Sequence, residues 1–233
     1  MNYCLPPFLL LICLCRSFTG VSISHSGPAT DREKRATRHR VHYPENLLLT
    51  SQPPSKDDRD WLQSQHNQFR RMVGAANMRY LYWSDELAKS AQRHADRCDF
   101  RHSKDRVRTG ENIWAAPYSN YSDAVRLWFD EVNLPTCRCP HSYKHCCGHY
   151  TQVVWAKTNQ LGCGFSRCKD IWGVRGWAYR YILVCQYSPQ GNTVMITPRG
   201  SWALPAFLSQ NSTHKACSLC PRMQRKCFDG LCW

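Results

Sequence analysis

The chain has 233 residues, which accommodates one domain of ordinary size with tails and is long enough to bury a hydrophobic core. Its formal net charge is +14, from 31 Lys and Arg against 17 Asp and Glu. This charge favours acidic glycans or anionic membrane surfaces as partners, although a generic basic surface has the same composition. The apolar run Phe8 to Leu14 is far shorter than the roughly 18 residues of a membrane span. No other stretch is apolar enough to cross a bilayer, so we expect no transmembrane segment.

The N-terminal residues have the pattern of a secretory protein. Residues 1–22 resemble a signal peptide, because the apolar run is followed by the small-residue cleavage pattern Gly20-Val21-Ser22. Residues 23–35 are expected to be a short propeptide, because they end in the basic cluster Arg32-Glu33-Lys34-Arg35, which secretory-pathway convertases would cut after Arg35. Residues 36–56 are expected to be a flexible lead-in. Without residues 1–35 the charge is +12, from 27 basic minus 15 acidic residues. We predict a secreted, extracellular protein, for which nucleic acid is not an expected partner.

The cysteine count supports an oxidising compartment. Of 15 cysteines, three lie in the predicted signal peptide and twelve remain, an even number typical of a complete disulfide framework. A zinc site at Cys217-x-x-Cys220 is the rival interpretation, which secretion disfavours. The sequons at Asn120 and Asn211 predict N-glycosylation in the same compartment. The twelve are Cys98, Cys137, Cys139, Cys146, Cys147, Cys163, Cys168, Cys185, Cys217, Cys220, Cys227 and Cys232.

Three segments have helical spacing of their apolar residues. Residues 57–73 carry a stripe that includes Leu62 and His66, and a second helix begins after the N-cap Ser84. A third helix is predicted over about 122–132. Aromatic and β-branched residues predict strands at His149–Trp155, Tyr179–Tyr187 and, more briefly, Gly162–Phe165. Helices come mostly first and strands mostly later, which favours an α+β fold.

Glu131 does not fit the helix that contains it. It shares the apolar face of the third predicted helix with Ala124, Leu127 and Trp128. An isolated buried carboxylate is very costly, so Glu131 must have partners. A salt bridge to an arginine would satisfy it, and so would a polar cluster that lines a cleft.

Five short motifs occur in a fixed order between Cys98 and Asn192. They are Cys98-x-x-x-His102-Ser103, Gly110-Glu111-Asn112, Trp128-Phe129-Asp130-Glu131, Gly148-His149-Tyr150-Thr151-Gln152-Val153-Val154-Trp155 and Ile182 through Asn192. Together they resemble the signatures of the CAP superfamily, named for cysteine-rich secretory proteins, antigen 5 and pathogenesis-related proteins. The last motif departs from the family at Thr193, where an apolar or aromatic residue is usual.

The resemblance implies a three-layer α-β-α sandwich over residues 57–199, followed by a small cysteine-rich, hinge-like tail at 200–233. It also assigns His102, Glu111, Glu131 and His149 to one cluster on a central cleft. Two neutral imidazoles could bind a divalent metal such as zinc at His102 and His149, with the carboxylates orienting them. The same groups could instead perform acid–base chemistry or form a purely structural cluster. We expect no required cofactor.

The resemblance also implies disulfide pairs. These are Cys98–Cys168, Cys163–Cys185, Cys217–Cys227 and Cys220–Cys232. Cys147 should pair within the preceding loop, where Cys137, Cys139 and Cys146 are all candidates. The chain stops at Trp233, before the six-cysteine module that gives some relatives ion-channel activity, so that activity is not expected.

The basic cleavage site, the extra loop cysteines and the short hinge are most similar to the secreted peptidase inhibitor-like proteins of vertebrates. This resemblance implies a non-enzymatic extracellular binding protein that inhibits a serine protease. A sterol- or lipid-binding module is the alternative, and a hydrolase dependent on the His and Glu residues is a third. We identify no catalytic residues.

Overall fold

The structure is a computed structural model that describes residues 46–137, 147–174 and 178–233. The predicted signal peptide, propeptide and cleavage at Arg35 lie outside these residues, as do Cys139, Cys146 and the lead-in up to residue 45. The α-helices within these ranges are α1 (Lys56–Met72), α2 (Asp85–Ala95), α3 (Ser122–Asp130) and α4 (Gly148–Val153). The strands are β1 (Leu48–Ser51), β2 (Tyr82–Trp83), β3 (Gly110–Ala116), β4 (Gln160–Cys168), β5 (Tyr181–Ser188), β6 (Val194–Thr197), β7 (Gly200–Ala203), β8 (Cys227–Phe228) and β9 (Leu231–Cys232).

Local capping sets where the first two helices begin. The Ser55 hydroxyl accepts a hydrogen bond from the Asp58 amide at the start of α1, and the Asp58 carboxylate accepts one from the Ser55 amide in return. Ser84 caps α2 in the same way by accepting from the Leu87 amide. The predicted helices at 57–73 and after Ser84 are therefore confirmed.

The central sheet contains five strands in the order β1-β4-β5-β3, with β2 paired to β4 in parallel. β3 lies at one edge, antiparallel to β5. β1 falls within the segment predicted as a flexible lead-in; instead it pairs with β4, because Leu48 to Ser51 complete the free edge of that strand.

Helices cover both faces of the sheet. Residues Leu183, Cys185 and Tyr187 of β5 contribute to a core with side chains of α1, α3 and α4. The alternate residues Ile182 and Val184 contribute to a second core with α2. The fold is therefore an α-β-α sandwich, as predicted.

Close approach of α2 to the sheet depends on two glycines. A Cβ atom at Gly162 or Gly164 of β4 would overlap the backbone of α2 near Ala88 or Gln92. Only glycine allows this spacing between helix and strand.

A fully buried arginine holds the loops beside α4. Arg70 donates to the carbonyl oxygens of Arg79, Val153, Trp155 and Thr158 at 2.7–3.0 Å. Burial lowers the pKa of Arg70 to about 9. The guanidinium is satisfied by backbone dipoles, so it fixes the positions of residues 79 and 153–158 relative to α1.

Candidate functional site

The first predicted pair joins His102 to Glu111, a fully buried carboxylate of the edge strand β3. Glu111 Oε1 accepts from His102 Nδ1 and from the Ser103 amide, both at 2.9 Å. Glu111 Oε2 accepts from Gln186 Nε2 at 3.0 Å. Burial by itself would raise the pKa of Glu111, but the hydrogen bonds from His102, Gln186 and the Ser103 amide outweigh it and lower that pKa. The ionised carboxylate therefore holds the proton of His102 on Nδ1, which leaves Nε2 free to act as a ligand.

The second pair joins His149 to Glu131, which begins the 3-10 turn after α3. Glu131 Oε1 accepts from His149 Nδ1 at 3.1 Å, and Oε2 accepts from the amides of His149 and Tyr150 at 2.9 and 3.0 Å. Burial opposes ionisation of Glu131, but these hydrogen bonds outweigh it and lower its pKa. The His149 ring also stacks on Trp128 at a centroid distance of 6.4 Å. The carboxylate and the indole thus fix the orientation of the imidazole.

Residues His149–Trp155 were predicted to be a strand, and this prediction is wrong. Residues 148–153 form α4, because the Glu131 carboxylate accepts hydrogen bonds from two amides of the first turn. A negative charge stabilises the N-terminal end of a helix, where amides lack partners within the helix. The Thr151 hydroxyl also bonds the Cys147 carbonyl. A tertiary contact therefore overrides the β propensity of this segment.

Asn112 lies in β3 directly after Glu111 and contacts the helix of the second pair. Glu111 bonds Gln186, which alternates along β5 with the residues on the sheet face covered by α1. Asn112, the next residue of β3, instead donates to the hydroxyl of Tyr187 on the α1 face at 3.4 Å. Asn112 also donates to the His149 carbonyl at 3.1 Å. Asn112 therefore connects the strand that carries Glu111 to the helix that carries His149.

The connection continues into the core through residues that the sequence analysis did not assign to the site. Tyr187 bonds His66 Nε2 at 2.9 Å, and His66 Nδ1 lies 2.7 Å from the Leu62 carbonyl, to which it must donate. Burial lowers the pKa of His66 to about 4, so this imidazole is neutral. The available signal was a histidine within the apolar stripe of the first helix.

The four predicted cluster residues do not form a compact four-ligand centre. Within the described ranges, the only group of three or more His, Cys, Asp or Glu with ligand atoms all within 4.8 Å of one another is Cys217, Cys220 and Cys232. These sulfurs are in the disulfides Cys217–Cys227 and Cys220–Cys232, so they are not available as thiolate ligands. Any cation at the cluster would bind through the imidazoles.

Disulfides connect the elements around the site. Cys98 is bonded to Cys168, and Cys163 to Cys185, which links the adjacent strands β4 and β5. The partner of Cys147, which the sequence left open, is Cys137 at the end of the second 3-10 turn. This bond lies directly before α4.

Asn120 and Asn211 both have exposed side chains. This placement is accessible to a glycan, and their glycosylation stays a prediction.

In the part of the chain that the structure describes, no helix is long and apolar enough to cross a membrane.

Sequence comparison finds relatives across most of the chain. It is 54% identical over 230 residues to Protein lon-1 of Caenorhabditis elegans, covering 92% of this chain and 74% of that protein. It is 36% identical to Peptidase inhibitor 16 of Mus musculus, covering 76% of this chain but only 34% of that protein. Cysteine-rich secretory protein 3 of Homo sapiens is 34% identical, with coverage of 79% and 71%.

Solved structures have the same fold. The crystal structure of NaASP2 with Zn2+ superposes with a TM-score of 0.58 at 24% identity, over 82% of this chain and 99% of that one. The structure of BmVAL-1 gives a TM-score of 0.55 over 81% and 97% of the two chains. Residues 63–187 match the family described as CAP, the cysteine-rich secretory protein family. The chain therefore belongs to the CAP family of cysteine-rich secretory proteins.

Proposed function

We propose that the chain is a non-enzymatic extracellular binding protein whose two carboxylate-held imidazoles can bind a divalent cation such as zinc. One observation carries this proposal: Glu111 and Glu131 each hold Nδ1 of their histidine, which leaves both Nε2 atoms as potential ligands. The side chains of His102 and His149 are 52% and 43% exposed, whereas that of Glu111 is fully buried. The carboxylates therefore act as supports, and the exposed imidazoles are the groups that a ligand could reach.

The donor set fits zinc. Imidazole nitrogens are preferred zinc ligands, and a carboxylate bound to the second ring nitrogen orients such a ligand and raises its basicity. His102 and His149 would hold the ion, which when bound would supply a fixed positive charge. Two protein ligands are fewer than the four of a structural zinc site, so binding should be weak.

The contacts of the imidazoles support a non-enzymatic role. In the described residues, neither His102 nor His149 bonds the side chain of a serine, threonine or cysteine. A nucleophile activated by a histidine requires such a bond. The arrangement favours binding over hydrolysis.

Calorimetric titration with zinc tests the proposal. Zinc affinity should be lost in the double variant His102→Ala, His149→Ala, which should keep the fold because neither imidazole lies in the core. The variant His214→Ala removes an imidazole in the cysteine-rich tail and should bind zinc as the parent does. Unchanged affinity in the double variant, with the fold verified by circular dichroism, would refute the cation assignment.

Inhibition of a serine protease is a second candidate, favoured by the similarity to the mouse protein named Peptidase inhibitor 16. Because the chain spans 34% of that protein, the whole-protein activity is itself a proposal. The test is a titration of trypsin-like, chymotrypsin-like and elastase-like proteases with the purified chain. Stoichiometric loss of protease activity would support inhibition, and full activity at a large molar excess would reject it.

A further inference from the structure

A second concave site lies on the side of the molecule where β5 ends. It is a pocket of about 430 Å³ lined by two arginines, one lysine, one indole and three uncharged residues. The lining residues are Arg79, Arg108, Trp155, Lys157, Pro189, Gln190 and Thr193. It contains none of the four residues of the two His–Glu pairs.

The pocket has a concentration of positive charge with no acidic residue in its lining. Within the described residues, Arg79, Arg108 and Lys157 form no salt bridge, and Arg79 donates instead to the Lys157 carbonyl at 3.1 Å. Another pocket, along α2, combines both signs by contrast, with Lys89 and Arg93 near acidic side chains. Three cations without a counter-charge in one concavity create a field that favours an anion.

Three of the four chain segments that line this pocket, at residues 79, 155–157 and 189–193, are tied together by hydrogen bonds. The buried Arg70 bonds the carbonyls of Arg79 and Trp155, which belong to two different walls. Thr158, the residue after Lys157, donates to the Pro189 carbonyl at 2.7 Å and so connects the segment of Trp155 and Lys157 to that of Pro189. Because these segments are fixed before any ligand arrives, little conformational entropy is lost on binding.

We propose that this pocket binds a sulfated glycan. Guanidinium and ammonium groups bind sulfate oxygens with charge-assisted hydrogen bonds. Gln190 and Thr193 can exchange hydrogen bonds with sugar hydroxyls, and Trp155 with Pro189 offers an apolar wall to a sugar ring. The uncharged polar groups beside the cations favour a glycan over an inorganic ion.

This inference deepens the proposed extracellular binding role and rests on its assignment of the compartment, but it uses different residues. Zinc titration measures the His–Glu pairs, whereas glycan binding measures the pocket, so each can fail while the other holds. The pocket variant should therefore retain the zinc affinity of the parent chain.

The experiment measures binding of a heparin-derived hexasaccharide to the full chain. The pocket variant is Arg108→Asn with Lys157→Gln, in which asparagine is chosen because residue 108 has a φ of 50° that asparagine tolerates. The matched control is Lys89→Gln with Arg93→Gln, which removes the same charge from the exposed face of α2. We expect the pocket variant to bind at least about tenfold more weakly and the control less than about twofold.

Two results would overturn the proposal. Equal loss in the two variants would mean that binding follows net charge and not this pocket. The hairpin β6–β7 directly after Thr193 exposes Met195 and Ile196, so vesicles containing phosphatidylserine form the second arm. Binding to these vesicles that depends on Arg108 and Lys157, with no binding of the hexasaccharide, would assign the pocket to a membrane surface and reject the glycan.

Discussion

The two His–Glu pairs have the same chemistry but stabilise different parts of the molecule. Glu111 is fully buried in the edge strand β3 and accepts hydrogen bonds from His102, from the Ser103 amide and from Gln186 of the neighbouring strand. Glu131 is partly exposed and directs one of its oxygens to two amides at the start of α4. The first carboxylate connects a loop to the sheet, and the second creates a helix. The same pair of residue types can therefore serve two different structural tasks.

The largest effect should follow Glu111→Ala. This change leaves Gln186 and the Ser103 amide without their buried acceptor, and each unsatisfied group costs free energy. We expect the free energy of unfolding to fall by about 3 kcal/mol, measured by urea unfolding with the disulfides intact. Asp57→Ala removes an exposed carboxylate as a control and should cost below about 0.5 kcal/mol. A cost for Glu111→Ala no larger than that control would contradict the structural role.

Glu131→Ala should have a smaller but more local effect. It removes the acceptor of two amides in α4, so the helix should fray at its first turn. We expect a loss of about 2 kcal/mol in the free energy of unfolding and faster hydrogen exchange at residues 149 and 150. Exchange in α2 provides the internal reference. Unchanged protection of the Tyr150 amide would show that Glu131 does not determine this helix.

The buried imidazole of His66 should make stability depend on pH. Its folded pKa is lowered to about 4, whereas an unfolded histidine takes up its proton near ~6.5. Below ~6.5 the unfolded state therefore binds the proton first, and the free energy of unfolding decreases until the pH reaches the folded pKa. From pH 7 to 5.5 this contribution is about 1 kcal/mol.

Urea unfolding of the parent, His66→Gln and His214→Gln at these two pH values isolates the effect. The decrease in the free energy of unfolding from pH 7 to 5.5 should be about 1 kcal/mol smaller in His66→Gln than in the parent. In His214→Gln it should equal that of the parent. An identical decrease in all three proteins would exclude His66 as the source.

The smallest change in stability, but the sharpest contrast between the pairs, should come from glutamine substitutions. In Glu131→Gln the new amide oxygen can still accept the hydrogen bonds from the amides of His149 and Tyr150. The new NH2 group then lies against His149 Nδ1, which must accept from it, so the imidazole proton moves to Nε2. In Glu111→Gln the new amide oxygen can still accept hydrogen bonds from both His102 Nδ1 and the Ser103 amide. Gln186 can rotate its own amide so that its oxygen accepts from the new NH2 group. Nitrogen-15 NMR of the imidazoles should therefore detect a tautomer change at His149 and none at His102. The same tautomer at His149 in the parent and in Glu131→Gln would contradict the assigned geometry.

The sequence alone was informative where the physics is local. Ser84 marks the start of the second helix, because an N-cap hydroxyl acts within three residues. The spacing of the motifs around His102, Glu131 and His149 was sufficient to identify the family. The edge strand β3 was missed, since Gly110 to Ala116 lacks the β-branched pattern of an isolated strand and is stabilised by pairing with β5.

The α+β class, the family and the residue types of the two pairs can be read from the sequence, because they follow from periodicity and short motifs. The folded structure alone shows that 148–153 is a helix, that Cys137 is the partner of Cys147, and that Glu111 and Glu131 each hold one histidine. It also brought Arg79, Arg108 and Lys157 into one pocket. Each of these features depends on contacts between residues that are distant in the chain. The free energy of such contacts exceeds the local propensities, and no local sequence pattern predicts them.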